Sequence, residues 1–289
     1  MCDVLVLGGG PAGATAAIYA ARSGCRVTLL YRDGGALGRA ERIENYYGLT
    51  GAPTGPQLFE MGLKHAMSLG VRVVNTQILG LGFDEMGLCA ETTAGIFHGK
   101  ALILATGSAR KAPNIPGIEA FDGMGVSYCA VCDGFFCRGK EVAVLGAGEY
   151  AIHEASVLLP LAARVTLLTD GGPMPALPKG LEVDCRKVAA LEGAAVLSQV
   201  RFEDGGILPV SRLFVALGTA GTGELARKLG IITDMGRVVV DETMATNVPG
   251  LYAAGDCVGG LLQVCKATTD GARAAISAVK YIRSLKDSF

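Results

Sequence analysis

Twice in this chain a short apolar run stops at a cluster of glycines and resumes as a helix-prone stretch. The first run, residues 3–7 (DVLVL), enters GGGPAG at 8–13, continues through 14–22 and reaches a second β-prone run at 26–30 (RVTLL). The second begins with EVAVL at 141–145, turns at GAGEYA (146–151), continues as a helix to about Leu161 and ends in RVTLL at 164–168. A strand, glycine turn, helix and strand in this order aim backbone N–H groups and a helix N-terminus at a pyrophosphate. The expected fold class is therefore α/β, with two Rossmann-like domains in one chain.

At 289 residues the chain has room for two cores of about 100 to 150 residues each. Half of it is apolar and 18% is charged, which excludes a disordered or solvating role. A net charge of −1, with no block of lysine or arginine, excludes a nucleic-acid partner. The apolar start, 1–21, lacks a basic leader and is broken by Gly8, Gly9, Gly10 and Pro11, so it is expected to be folded. No uninterrupted apolar stretch reaches the roughly 18 to 20 residues that span a bilayer. A soluble cytoplasmic protein without a membrane partner is the expectation, its nine cysteines reduced except where a particular pair does chemistry.

Further strands are expected at 71–75, 101–105, 213–217, 238–240 and 251–254, and a closing helix at 268–285. Asn114, Pro116 and Gly117 punctuate the chain near residue 113, and 241–250 is a second break. Domain crossings placed there leave 1–112 and 241–289 as one discontinuous domain, with 113–240 inserted in it.

In GGGPAG the glycines allow a tight turn, close approach of a phosphate, and close packing of helix on strand, which makes Gly8, Gly10, Pro11, Ala12 and Gly13 candidate cofactor ligands. Read alone, the motif is also an ordinary glycine turn. ATGS at 105–108 and GLYAAGD at 250–256 strengthen the cofactor reading, because both close a strand; they add Ala105, Thr106, Gly107, Gly255 and Asp256. The acid expected after the second strand to hold an adenosine ribose is replaced by Tyr31, leaving Asp33 or backbone groups to take that part.

CAVCDG at 129–134 carries the most specific chemistry. A CxxC opening a helix holds two sulfurs within disulfide reach, and the helix dipole favours the thiolate. The competing reading is a zinc or iron–sulfur half-site, with Cys137 as a third ligand, in a non-enzymatic electron carrier. No second CxxC exists to complete such a site, so no metal is expected. Cys2, Cys25, Cys89, Cys185, Cys257 and Cys265 read as small core residues, and His65, His98 and His153 as structural. Asp133 is a candidate proton donor to a leaving thiolate, or else a helix-turn cap.

With GGGPAG, ENYYG (44–48), ATGS, CAVCDGFF (129–136), TNVPGLYAAGD (246–256) and Gln263 in this order, the whole chain resembles the low-molecular-weight thioredoxin reductases. The resemblance implies FAD in the discontinuous domain, held also by Arg32, Asn45 and Gln263, with the redox cysteines in the inserted one. It implies a homodimer with thioredoxin as partner, Cys132 facing the flavin, Cys129 attacking thioredoxin and Asp133 as the acid. A large rotation between the domains is implied as well. Members that use NADPH carry a His-Arg-Arg cluster after the second strand of the inserted domain, because a 2′-phosphate needs guanidinium partners. Here Thr169, Asp170 and Gly171 stand there, behind a turn carrying Glu149 and Tyr150. In this and in GEYAIHEA and LLQVCKAT the chain resembles the ferredoxin-dependent flavin branch. Ferredoxin is then the expected donor, with NADH or NADPH the alternative.

Overall fold

The computed structural model describes residues 1–107, 113–218 and 222–286. The chain divides into two units, Met1–Ala109 with Gly221–Phe289 and Arg110–Ala220. Ser108, the last residue of the ATGS motif, lies outside the described residues.

The first unit opens with β1 (Cys2–Leu7), α1 (Pro11–Arg22) and β2 (Val27–Tyr31). It continues with α2 (Gly55–Ser68), β3 (Arg72–Asn75), β4 (Ile78–Asp84), β5 (Gly87–Thr92) and β6 (Gly95–Leu104). β1 is buried from Val4 to Leu7, the continuous apolar run that a strand covered on both faces requires. It lies between β2 and β6 with parallel register, Val4 opposite Val27 and Ala101. Proline in its first turn starts α1, and Thr54 with Gln57 forms a reciprocal capping box that starts α2.

The second unit contains β7 (Val126–Ser127), α3 (Ala130–Asp133), β8 (Glu141–Leu145), α4 (Glu149–Leu158) and β9 (Arg164–Leu168). There follow β10 (Glu182–Asp184), β11 (Val188–Gly193), β12 (Leu197–Phe202), β13 (Ile207–Pro209) and β14 (Arg212–Val215). Five of these make a parallel sheet in the order β10-β9-β8-β14-β7, while β11-β12-β13 form a separate antiparallel ladder. Phe202, Leu213 and Leu145 are among the residues of this unit's own core.

The chain returns to the first unit with α5 (Thr222–Lys228), β15 (Thr233–Asp234), β16 (Arg237–Val238), β17 (Leu251–Ala253) and α6 (Val264–Lys286). β17 pairs with β6 in parallel and completes a seven-stranded sheet, β3-β2-β1-β6-β5-β4 being the rest. α6 packs on α1 through small residues: Ala16, Ala17, Ala20, Ala274, Ala275 and Ala278 are all buried there, and a Cβ on Gly271 would strike the Ala12 carbonyl.

Several expectations need correction. Residues 221–240, placed in the inserted domain from sequence, group with the first unit, since α5 packs on β4 and β16 on the turn after β17. The strand expected at 238–240 stops at Val238, where its two-residue partner β15 ends. α6 begins four residues before Thr268. Cys185 and Cys265 are exposed, not core residues, and Cys25 and Cys89 are only partly buried.

Candidate active site and cofactor cradle

The expected cofactor residues of the first unit gather at one edge of its sheet, beyond the C-terminal ends of β1, β2, β6 and β17. In open α/β sheets that edge is where ligands bind. Gly8 has φ 111, and a Cβ there would collide with the Ala105 carbonyl; one on Gly13 would collide with the carbonyl of Gly8. The two glycines thus lock turn, helix and β6 together. Gly10 does the reverse: nothing lies within 4 Å of where its Cβ would stand, and no side chain caps α1. An open space facing uncapped N–H groups fits a pyrophosphate, and so the residues present fit a dinucleotide.

The other wall is the short 3-10 turn Gly255–Val258 that follows β17 and carries the half-exposed Asp256. A Cβ on Gly255 would lie 2.8 Å from that of Ala12. Asn45 and Gln263, 218 positions apart, meet in a hydrogen bond of 2.8 Å, the Asn45 amide donating to Gln263 Oε1. Arg32, exposed just after β2, is held by Asp33 at 3.0 Å. Tyr31 turns instead onto Phe59, ring centroids 5.6 Å apart.

Sequence reasoning missed two residues here. Lys266 Nζ donates to the carbonyls of Gly255 (2.8 Å) and Gly259 (2.5 Å) and pairs with Asp270 at 2.7 Å. Asp270, buried, accepts from the Gly255 amide. The i,i+4 spacing of Lys266 and Asp270 on one helix was the available signal. Burial pushes the Cys257 thiol up to about 12, which disfavours its thiolate.

In the second unit Cys129 and Cys132 form a disulfide. Cys129 is the N-cap of α3, its sulfur accepting from the Cys132 amide at 3.1 Å. The Cys129 amide donates to Ser127 Oγ (3.2 Å), and that hydroxyl donates to Asp133 Oδ2 (2.6 Å), so the expected acid is wired to the backbone of the redox pair. Arg212 approaches Asp133 to 4.0 Å. Glu154 from α4, 1% exposed, accepts the Ala130 amide at 2.8 Å. Cys129 is buried and Cys132 exposed. Around them Val131, Phe135 and Phe136 are exposed, with Arg138 over the first ring and Arg212 over the second. Cys137 is fully buried and burial raises its thiol pKa, so it is not poised as a thiolate beside the pair.

The second glycine turn is built differently. Gly146 packs on the Ala216 carbonyl, but the first turn of α4 holds Glu149, and Tyr150 is fully buried. After β9, Thr169 Oγ donates to the Gly172 carbonyl (2.8 Å). Asp170 sits at φ 53, where its carboxylate accepts the Val188 amide at 2.8 Å. The nearby cations are engaged: Arg186 with Asp184 (2.6 Å) and Asp204 (3.6 Å), Lys187 with Glu203 (2.9 Å).

A cradle for a dinucleotide in one unit and a closed CxxC in the other define a class of flavin-linked disulfide enzymes. The sequence matches the model of the pyridine nucleotide-disulphide oxidoreductases over residues 2–271, and the chain belongs to that family. Within it the chain groups with the thioredoxin reductases. That of Aquifex aeolicus (strain VF5) is 33% identical over 305 residues, covering 98% of this chain and 94% of the relative. Among solved structures, the atypical thioredoxin reductase of Desulfovibrio vulgaris Hildenborough is 38% identical with a TM-score of 0.93, covering 98% of this chain and 99% of its own. The ferredoxin-flavin thioredoxin reductase of Clostridium acetobutylicum is 28% identical with a TM-score of 0.74, covering 98% of each. FAD is the cofactor of this family and of this chain.

Proposed function

We propose that this flavoenzyme reduces thioredoxin through Cys129 and Cys132 with electrons from reduced ferredoxin or a comparable one-electron carrier, and not from NADPH. The observation that carries the choice of donor is Asp170. A carboxylate bound to the Val188 amide occupies the place where a 2′-phosphate needs guanidinium groups. Arg186 and Lys187 are already matched by acids. The likeness to the Clostridium acetobutylicum enzyme supports the same reading. Asp170 also leaves room for NADH, since an acid can hold a ribose diol, but its carboxylate is already engaged.

Gly8, Gly10, Pro11, Ala12, Gly13, Arg32, Asn45, Ala105, Thr106, Gly107, Gly255, Asp256 and Gln263 hold the FAD, within the unit formed by Met1–Ala109 and Gly221–Phe289. Bound FAD supplies a two-electron store that fills one electron at a time. Two electrons and two protons open the Cys129–Cys132 bond to a pair of thiols. Cys129, as thiolate, attacks a sulfur of the thioredoxin disulfide and displaces the other as a thiolate, which Asp133 protonates. Cys132 then attacks Cys129 Sγ, releasing reduced thioredoxin and re-forming the original bond. Cys129 is buried and Cys132 exposed, the opposite of what the first attack requires; the domain rotation implied by the resemblance would uncover Cys129. The exposed Val131, Phe135 and Phe136 give thioredoxin an apolar landing surface beside it. The enzyme works as a homodimer in the reducing cytoplasm.

An anaerobic titration of the flavin absorbance with NADPH, NADH and photoreduced ferredoxin, run in parallel, tests the donor. Bleaching by ferredoxin, followed by reduction of added thioredoxin, is expected; rapid stoichiometric bleaching by either nicotinamide at micromolar concentration would sink the reading. For the cysteines, Cys129→Ser should give a thiolate-to-flavin charge-transfer band from Cys132, and Cys132→Ser a trapped mixed disulfide with thioredoxin through Cys129. The reverse pattern would exchange their roles.

A further inference from the structure

Three ligand-type side chains outside the cradle and the redox turn converge on the antiparallel ladder of the first unit. Asp84 closes β4, Cys89 lies in β5 and His98 in β6. Cys89 and His98 are direct cross-strand partners, and Gly82 faces Cys89 from the other side. Strand alternation then puts Asp84, two residues beyond Gly82, on the same face. His98 Nε2 and Asp84 Oδ2 stand 2.6 Å apart, and one donor atom from each of the three residues lies within 4.8 Å of the others. Gly82 puts no side chain among them; a Cβ there would lie 3.6 Å from Cys89 Sγ.

The surroundings hold this face in place. The Cys2 thiol donates to the His98 carbonyl at 3.2 Å, and Asp84 Oδ1 accepts the Met86 amide at 2.9 Å, which leaves Oδ2 to face the imidazole. The His98 side chain is 10% exposed and that of Asp84 40%, so solvent reaches the cluster from the carboxylate side.

We propose that Asp84, Cys89 and His98 form a site for a divalent transition-metal ion, zinc foremost, with water as the fourth ligand. A thiolate, an imidazole and a carboxylate suit zinc and exclude calcium and magnesium, which take oxygen donors. Zinc bonds of ~2.0–2.3 Å place tetrahedral donors roughly 3.3–3.8 Å apart. Closing a spread of at most 4.8 Å and opening the 2.6 Å pair thus needs shifts of no more than about 1 Å, within reach of side-chain torsions. Cys89 binds as the thiolate, its proton passing to solvent.

The ion clamps three strands and takes no part in electron transfer. His98 precedes the end of β6 at Leu104 by six residues, roughly 20 Å at ~3.3 Å per residue, on the side of the sheet away from the cradle.

The test uses the oxidised holoenzyme, whose closed Cys129–Cys132 bond keeps the redox thiols from competing. Stripped with chelator and titrated with Co²⁺, it should take up one equivalent, show a thiolate-to-cobalt charge-transfer band, and lose both to Zn²⁺. Cys89→Ser should abolish the band. His98→Gln and Asp84→Asn should each weaken binding by more than roughly 10-fold, the least that loss of even an outer partner of a metal site costs. Flavin spectra establish that the variants are folded, and thioredoxin reduction should be unchanged in all three. Absence of stoichiometric binding in the wild type, or binding that survives both Cys89→Ser and His98→Gln, would overturn the site.

Discussion

A carboxylate as deeply buried as Glu154 must meet a donor, and it accepts the Ala130 amide at the start of α3. Removing it leaves an N–H of the redox turn without its acceptor. Glu154→Ala should therefore cost about 1–3 kcal/mol in urea unfolding and slow thioredoxin reduction by loosening Cys129, whereas Glu154→Gln, which keeps a carbonyl acceptor, should lose much less. Equal losses in the two variants would mean that the charge, and not the hydrogen bond, matters. The Cys129–Cys132 disulfide was legible in the sequence because it depends on a spacing of three residues. Glu154 was not, because its partner lies 24 residues away and a glutamate on a helix resembles any other until its face is known. The same blindness misjudged Cys185 and Cys265 as core residues: a cysteine's type says nothing of the side on which it emerges.

Among the elements, the two parallel units were legible because buried strands read as unbroken apolar runs and their turns demand glycine. The antiparallel ladders β4-β5-β6 and β11-β12-β13 were not foreseen. ILGLGFD in β4 puts glycines where alternation would show, and register shifts interrupt both ladders. One ion-pair cluster joins the three central elements of the first sheet. Asp3 of β1 accepts the Arg26 amide at the entrance to β2 (2.9 Å) and pairs with Lys100 of β6 (2.9 Å). Burial opposes its ionisation, but those bonds outweigh the burial and lower its pKa to about 2. A folded pKa below the unfolded 3.8 gives stability that is present above about pH 4 and lost as the pH falls towards 2. With a side chain only 14% exposed, the effect is of order 2 kcal/mol. Asp3→Asn should be less stable than the wild type by about that much at neutral pH, and the two unfolding curves should converge in acid. A gap that stays constant down to pH 2 would refute the assignment.

For the whole molecule, the two nucleotide-type units are built unequally. The first unit keeps every feature of a cradle: an uncapped helix start, an open Gly10 and a turn tied down by Lys266. The second keeps the topology and an uncapped helix start, but Glu149 heads its helix, Tyr150 is buried beneath it, and the Asp170 carboxylate accepts the Val188 amide. On the proposed reading, selection against a 2′-phosphate is spread over several residues, and restoring one should not restore use of NADPH. A guanidinium–phosphate hydrogen bond contributes about 1.5–3 kcal/mol where geometry allows. An arginine at 170, however, must take a left-handed backbone, abandons the Val188 amide, and meets Arg186 and Lys187 nearby. Asp170→Arg is expected to lose stability and to raise the rate of flavin reduction by NADPH less than tenfold, with reduction by ferredoxin unchanged, in stopped-flow measurements on the holoenzyme. Stoichiometric reduction of that single variant by NADPH within the turnover time would show that the second unit is an intact nucleotide site closed by one residue.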